Sequence, residues 1–174
     1  MTFELLVSFN SATKIDEIAD LALVARRTFF RYFATKEEVL VAWMDKMSLD
    51  IQAKLIENLI TQSPYQALVS AIMEEVTSQT RDRQTVVNLS RLIDENPSVR
   101  ILQADKHARW AKSFAGILMK HPSLSKDRLK ARLLSARAVD ALVVAGEIWR
   151  EKNFRSNPNL ILEKAFQLNK MSFD

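Results

Sequence analysis

The chain lacks cysteine and has only two glycines and four prolines among its 174 residues. Without cysteine, it has no disulfide framework, no thiolate metal site and no cysteine nucleophile. Antiparallel sheets need many tight turns, which favour glycine and proline. Their scarcity therefore predicts long helices joined by few loops. Apolar residues make up 48% of the sequence, which is enough to bury a sizeable core and excludes wholesale disorder.

Long apolar runs are also absent. No run approaches the roughly 20 residues that a membrane-spanning helix requires. The N-terminus has no basic stretch followed by an apolar one, as a signal peptide would. We therefore expect a cytoplasmic protein with no membrane partner.

Metal-binding and catalytic groups are equally scarce. The two histidines, His107 and His121, have no second histidine or carboxylate three or four residues away. We find no nucleophile–base pair, no carboxylate–histidine cluster and no glycine-rich phosphate loop. The sequence therefore predicts neither an enzyme nor a metal or cofactor site.

The positions of apolar residues predict an all-α fold. Helical spacing indicates about nine helices, three short ones before residue 34 and then about six longer ones. Thr35, with Glu38 three residues on, fits a helix start, as do Pro64, Pro97 and Ser125. Two of the longer helices have apolar faces that are predicted to be buried. These faces contain Val39, Leu40, Trp43, Met44, Met47, Ile51 and Leu55 in one helix, and Ile101, Leu102, Trp110, Phe114, Ile117 and Leu118 in the other.

Residues 26–33, here called the arginine segment, have an unusual composition. Their sequence, "RRTFFRYF", contains three arginines, three phenylalanines and one tyrosine. Soluble proteins rarely expose that much aromatic surface without a partner. Phe29 and Phe33 are four residues apart, so one helical face carries both of them inward. The remaining faces then carry Arg26, Arg27, Thr28, Phe30, Arg31 and Tyr32.

The arginine segment is predicted to be the second helix of a helix-turn-helix. Thr13 fits the N-cap of the preceding helix, and residues 23–25 fit the turn. A helix of this kind fits the major groove of DNA, where guanidinium groups reach guanine edges or phosphates. Lys36 begins the next helix, where its ammonium and the free amides suit a phosphate. The alternative is that the arginines form a solvated face and the aromatic residues belong to the core.

The stretch "KIDEIADLALVARRTFFRYFATKEEVL" closely resembles the N-terminal domain of the tetracycline-repressor (TetR) family of bacterial transcriptional regulators. The resemblance covers about residues 10–45 and depends on "IDEIA", "VARRTFFRYF" and "TKEEVL". It implies nine helices, a homodimer, a double-stranded DNA operator and a C-terminal domain that binds a small inducer. By position, it also implies that Thr13 and Lys36 contact phosphates. The residues implied to face the groove and its walls are Arg26, Arg27, Thr28, Phe30 and Tyr32.

The resemblance also implies two domains. Residues 1–46 would bind DNA, and residues 47–174 would bind the ligand and form the dimer. The last two helices, predicted over 125–152 and 158–171, resemble the pair that dimerises the family. Residues 138–149 are apolar nearly all round, so we expect them to be buried on more than one side, by a partner or within a monomeric bundle. Asp140, inside this run, is expected to be buried and to need an arginine partner.

The inducer is expected to bind among the longer helices. The candidate lining residues, here called the effector site, are large, soft or aromatic: Trp43, Met47, Met73, Val76, Trp110 and Phe114. Such side chains suit a poorly polar ligand. Each of them alone is equally typical of an ordinary core.

The predicted first helix is shorter than the one usual in the family, and we expect the native start to lie upstream of Met1. This short helix supports an alternative hypothesis, a small-molecule-binding helical dimer with impaired DNA binding.

The charge distribution limits where DNA could bind. Residues 100–155 contain thirteen basic and five acidic residues, whereas the net charge of the chain is only +4. A DNA contact near the N-terminus must therefore be a local patch.

Overall fold

The computed structural model describes Arg27, Arg31 and residues 35–170. Residues 35–170 form six α-helices and no strand. The helices are α1 (Lys36–Asn58), α2 (Pro64–Gln79), α3 (Arg83–Glu95), α4 (Pro97–Leu118), α5 (Arg128–Glu151) and α6 (Pro158–Lys170). They confirm the all-α class and the six longer predicted helices. The three short helices expected before residue 34 lie outside the described residues, although Arg27 and Arg31 are both helical.

Most of the predicted helix starts are confirmed. The Glu38 amide donates to Thr35 Oγ1 at 3.4 Å, and α2 and α4 begin at Pro64 and Pro97. Proline suits these positions because the first amides of a helix have no partner within it. The expected start at Ser125 is wrong. Asp127 caps α5 instead, because its carboxylate accepts the Lys130 amide at 2.8 Å, whereas the Ser125 hydroxyl donates to the Pro122 carbonyl.

The chain divides into two compact units. The first contains the chain up to Lys46 together with Arg81–Lys106, and the second contains Met47–Thr80 and His107–Asp174. The boundaries fall inside α1 and α4. The functional division into residues 1–46 and 47–174 concerns DNA and ligand binding, so it stays a prediction.

The described core of the first unit combines residues of α1, α3 and the start of α4. Its buried apolar side chains are Leu40, Met44, Val87, Leu89, Ile93 and Val99. Lys106 of α4 contacts both carboxylate oxygens of Asp45 of α1, at 2.6 and 2.7 Å. The expected burial of Ile101 and Leu102 is wrong, since both are exposed. The buried side of α4 is the one that carries Val99. Ile101 lies two residues further along the helix and therefore on its opposite side.

The core of the second unit is larger. The α5 helix packs mainly on α6, and both contact α2. The six-residue connection between α5 and α6 is typical of antiparallel neighbours in a helical bundle. The largest fully buried side chains of this unit are Ile51, Leu55, Leu68, Ile72, Phe114 and Leu118. Burying a side chain of this size contributes about 1.5–3 kcal/mol.

A charged pair with a buried carboxylate links α1 and α2 within the second unit. Lys54 Nζ lies 2.7 Å from Glu75 Oε2, and the two side chains are 27% and 4% exposed. Glu75 Oε1 accepts from Gln79 Nε2 at 2.6 Å. Both carboxylate oxygens therefore have donors. A buried carboxylate requires this, because unpaired charge is costly to remove from water.

A second polar network links α5 and α6. The Arg137 guanidinium donates to the Asn169 carbonyl at 2.8 Å, and the Asn169 amide side chain donates back to the Arg137 carbonyl at 3.1 Å. Tyr65 of α2 lies near this network. Burial raises the pKa of its hydroxyl, while the Asn169 side chain and the charge of Arg137 oppose the shift. Arg137 is thus engaged by Asn169. Asp140 is exposed in the single chain, so its burial within a monomeric bundle is wrong, and its burial by a partner chain stays a prediction.

The turn after α5 contains two residues with positive φ, Asn153 at 51° and Phe154 at 60°. The Phe154 amide donates to the Trp149 carbonyl at 3.0 Å, which closes the end of the helix. The Phe154 ring meets Trp149 edge-on at 4.9 Å between centroids. The Trp149 indole donates to the Ser156 carbonyl at 2.9 Å. These contacts fix the turn that leads into α6.

No helix within the described ranges is long and apolar enough to span a membrane.

Candidate DNA-binding segment and effector site

Two side chains of the arginine segment are described, and both are exposed. Arg27 and Arg31 have helical backbones and are four residues apart, so they lie on the same side of a helix. Two guanidinium groups one turn apart present planar sets of donors that suit phosphates and guanine edges. Four residues after Arg31, Thr35 caps α1 through the Glu38 amide. A capped helix therefore follows the segment directly.

The other predicted DNA contacts cannot be placed in this way. The positions outside the described residues are Thr13, Arg26, Thr28, Phe30 and Tyr32. Lys36 is the first residue of α1, but its side chain also lies outside the described part. The assignment of these six residues to DNA stays a prediction, as does that of Arg27 and Arg31.

The predicted effector-site residues vary in burial. Met47, Trp110 and Phe114 are buried, whereas Trp43, Met73 and Val76 are half-buried. Trp43 belongs to the first unit and the other five residues to the second. Trp110 and Phe114 contact each other, with 6.4 Å between their ring centroids. The grouping of all six residues into one site stays a prediction.

A histidine that the sequence analysis considered only as a metal ligand joins this aromatic pair. His107 meets Trp110 edge-on, with 5.2 Å between the ring centroids and 70° between the ring planes. Burial, with a smaller effect from the charge of Arg150, lowers the pKa of His107 to about 4. The imidazole is therefore neutral near pH 7. We call His107, Trp110 and Phe114 the Trp110 cluster.

The pair between Lys54 and Glu75 was not predicted from the sequence. One signal was present, because Glu75 follows Leu68 and Ile72 on the same apolar face of α2. A charged residue on a buried face requires a partner. The identity of that partner could not be predicted, because Lys54 belongs to a different helix.

Within residues 35–170, histidine and acidic side chains form no group of three that could hold a metal ion.

The family comparison matches the segment that carries the exposed arginines. Residues 11–43 match the model described as bacterial regulatory proteins, tetR family. These residues are similar to the N-terminal domain of tetR-family regulators. The match supports a DNA-binding transcriptional regulator. The match confirms the resemblance found in the sequence, and the family consists of regulators rather than enzymes. No curated protein matches the chain significantly.

Outside the matched range, the chain exposes several large apolar side chains on its last two helices. Leu129, Leu133 and Val144 of α5 are exposed, and so are Leu160 and Leu168 of α6. On α5 the three side chains follow one another at intervals of four and eleven residues, and on α6 the two are eight residues apart. Such intervals place residues on one side of a helix. Each helix therefore has an apolar strip that the single chain leaves uncovered.

Proposed function

We propose that the chain is a dimeric, ligand-responsive repressor that reads a palindromic operator through residues 26–33. The main support is the exposure of Arg27 and Arg31 on one helical side, within the range that matches the tetR family.

The chemistry of arginine supports base contact by this segment. A guanidinium group can donate two parallel hydrogen bonds to guanine O6 and N7, and each good bidentate contact discriminates against the wrong base by about 1–3 kcal/mol. In our proposal Arg27 contacts a base. Arg26, Thr28, Phe30, Arg31 and Tyr32 contact the groove and its walls, while Thr13 and Lys36 hold phosphates.

The uncovered apolar strips of α5 and α6 support a homodimer through the last two helices. A second copy would bury the exposed leucines of both chains, and burial of apolar surface is the main favourable term in association. A twofold dimer would present two arginine segments to two half-sites about one DNA turn, roughly 34 Å, apart. The palindromic operator follows from that symmetry.

The buried aromatic and methionine residues of the second unit support the effector response. In our proposal a small molecule binds the effector site and prefers a dimer in which the two arginine segments are spaced differently. It lowers operator affinity by the difference between its binding free energies to the two forms. Residues 1–46 thus serve DNA binding, and residues 47–174 serve ligand binding and dimerisation.

Selection of DNA fragments from a random pool tests this proposal. The parent protein is expected to enrich a palindromic sequence with half-site centres about 10 base pairs apart. The Arg27→Ala/Arg31→Ala variant is the control for the arginine segment and is expected to enrich none. Enrichment of a palindrome by both proteins would reject the role of the segment. Weak, sequence-independent binding by the parent, restored by an N-terminal extension, would favour the alternative of a ligand-binding dimer with impaired DNA binding.

A further inference from the structure

Two buried tryptophans of the second unit differ in the bonding of their indole groups. Trp110 and Trp149 are each 3% exposed. Trp149 Nε1 donates to the Ser156 carbonyl at 2.9 Å, so its polar atom is satisfied within the fold. Trp110 Nε1 is fully buried and has no acceptor among the described residues. The same group is thus bonded in one place and unbonded in the other.

An unbonded indole donor in a protein interior requires an explanation. Burying an N–H group without an acceptor is costly, and most buried polar groups therefore have a partner. The neighbouring rings do not supply one, since His107 contacts Trp110 without a hydrogen bond to its indole and Phe114 has no polar atom. A molecule bound beside Trp110 that carries an acceptor oxygen would remove this cost.

The surroundings of Trp110 restrict the class of that molecule. The rings of His107, Trp110 and Phe114 favour an aromatic partner, because aromatic rings pack well edge to face or offset. Charge is disfavoured here, since Trp110 and Phe114 are almost completely buried and an ionised group is costly to remove from water. A neutral acceptor satisfies the indole without placing a second ionised group in this environment.

We propose that the effector is an uncharged aromatic carbonyl compound whose oxygen accepts a hydrogen bond from Trp110 Nε1. This inference depends on the proposed function, because it identifies the ligand class of the proposed effector site. Trp110 is the residue that would distinguish such a compound from a hydrocarbon of the same shape.

Matched probes test the inference on the whole protein. Acetophenone and α-methylstyrene have nearly the same shape, but only acetophenone has a carbonyl oxygen, and benzoate provides the charged comparison. The three tryptophan indole signals are followed by ¹H–¹⁵N NMR and assigned with single Trp→Phe variants. Acetophenone is expected to move the Trp110 indole proton downfield, as a new hydrogen bond does, and to bind about tenfold more tightly than α-methylstyrene.

Two variants separate the hydrogen bond from the packing. Trp110→Phe keeps an aromatic ring and is expected to lose the tenfold preference while still binding both neutral probes. Trp149→Phe is the matched control and is expected to keep the preference, because its indole is already bonded to Ser156. The NMR signal of the parent protein decides the case if Trp110→Phe does not fold.

Three results would overturn the inference. They are no movement of the Trp110 signal at millimolar acetophenone, equal binding of acetophenone and α-methylstyrene, and tighter binding of benzoate. None of these results concerns DNA. Failure of the parent protein to enrich a palindrome would instead reject the proposed function, whatever the probes do.

Discussion

Cationic side chains occupy two very different settings in this molecule. Arg27 and Arg31 are exposed on one helical side, in the range that matches the tetR family. Lys54, in the second unit, lies 2.7 Å from a carboxylate that is almost completely buried. Arg137 of the same unit donates to the backbone of α6. The two arginines are exposed, whereas Lys54 and Arg137 bond to groups of the second unit.

This difference indicates how DNA binding and stability are divided along the chain. A cation that pairs with a buried carboxylate is required by the fold, because its removal leaves an uncompensated charge in the interior. An exposed cation contributes little to stability, because water and salt screen its interactions. Substitution of Lys54 should therefore change unfolding, whereas substitutions in the arginine segment should change DNA binding.

The largest expected effect is on stability at the buried pair. Lys54→Met is expected to lower the free energy of unfolding by about 3–5 kcal/mol, because Glu75 is left buried without a cation. Urea unfolding followed by circular dichroism measures the loss. Lys112→Met, at an exposed position of α4, is the matched control and should stay within about 0.5 kcal/mol of the parent.

The double variant Lys54→Met/Glu75→Leu sharpens this test. Replacing a buried ion pair with apolar residues of similar volume is often neutral or stabilising, so the double variant should recover most of the lost stability. A double variant no more stable than Lys54→Met would show that the pair contributes through packing rather than charge.

The second effect is a pH dependence of the unfolding free energy that arises from His107. Its pKa is about 4 in the folded chain, against an ordinary value of 6.5. Above pH 6.5 the imidazole is neutral in both states. As the pH falls from 6.5 towards 4, the unfolded chain binds the proton first, so stability falls by up to about 3 kcal/mol.

Urea unfolding between pH 7 and pH 4.5 measures this dependence. The difference in stability between the parent and His107→Gln is expected to change over that range, because the variant lacks the titrating group. His121→Gln is the matched control. Parallel pH profiles for the parent and His107→Gln would contradict the buried environment of the imidazole.

The third effect concerns phosphate contact at the start of α1. Lys36→Ala is expected to weaken binding to all DNA sequences alike and to flatten the salt dependence of binding by about one unit. Fluorescence anisotropy at several salt concentrations measures it, with Lys126→Ala, at an exposed position of the second unit, as the control. A change confined to one operator sequence would point to base contact by Lys36 instead.

The smallest effect is a gain in stability at Gly116. This residue lies inside α4, and a Cβ added there would meet no atom within 4 Å. Gly116→Ala is expected to raise the free energy of unfolding by about 0.5–1 kcal/mol, because alanine loses less backbone entropy in a helix. Thermal unfolding measures the gain, and a loss of stability would mean that the position is covered in solution.

Helices were largely predictable from the sequence, since their signals are local. Proline at 64 and 97, the threonine at 35 and the apolar spacing along α1 each gave the correct element. The cap of α5 was not predictable in the same way. Ser125 and Asp127 both have suitable side chains, and only the geometry of the preceding turn decides that Asp127 accepts the Lys130 amide.

Contacts between helices were much less predictable. The partner of Glu75 comes from another helix, and the neutral state of His107 depends on the side chains that bury it. The outward position of Ile101 depends on which face of α4 meets the core. The arginine segment was recognisable because its composition is unusual, while its role in binding DNA bases stays a prediction.

Binding of Arg27→Ala to the selected operator tests the central claim most directly. Titrations should compare the parent and the variant on the operator and on versions with one base pair replaced in each half-site, with Arg155→Ala as the exposed control. The account predicts that Arg27→Ala loses about 1–3 kcal/mol on the operator, tolerates replacement at one position, and unfolds like the parent. Operator binding by Arg27→Ala that equals the parent's in affinity and base preference would contradict it.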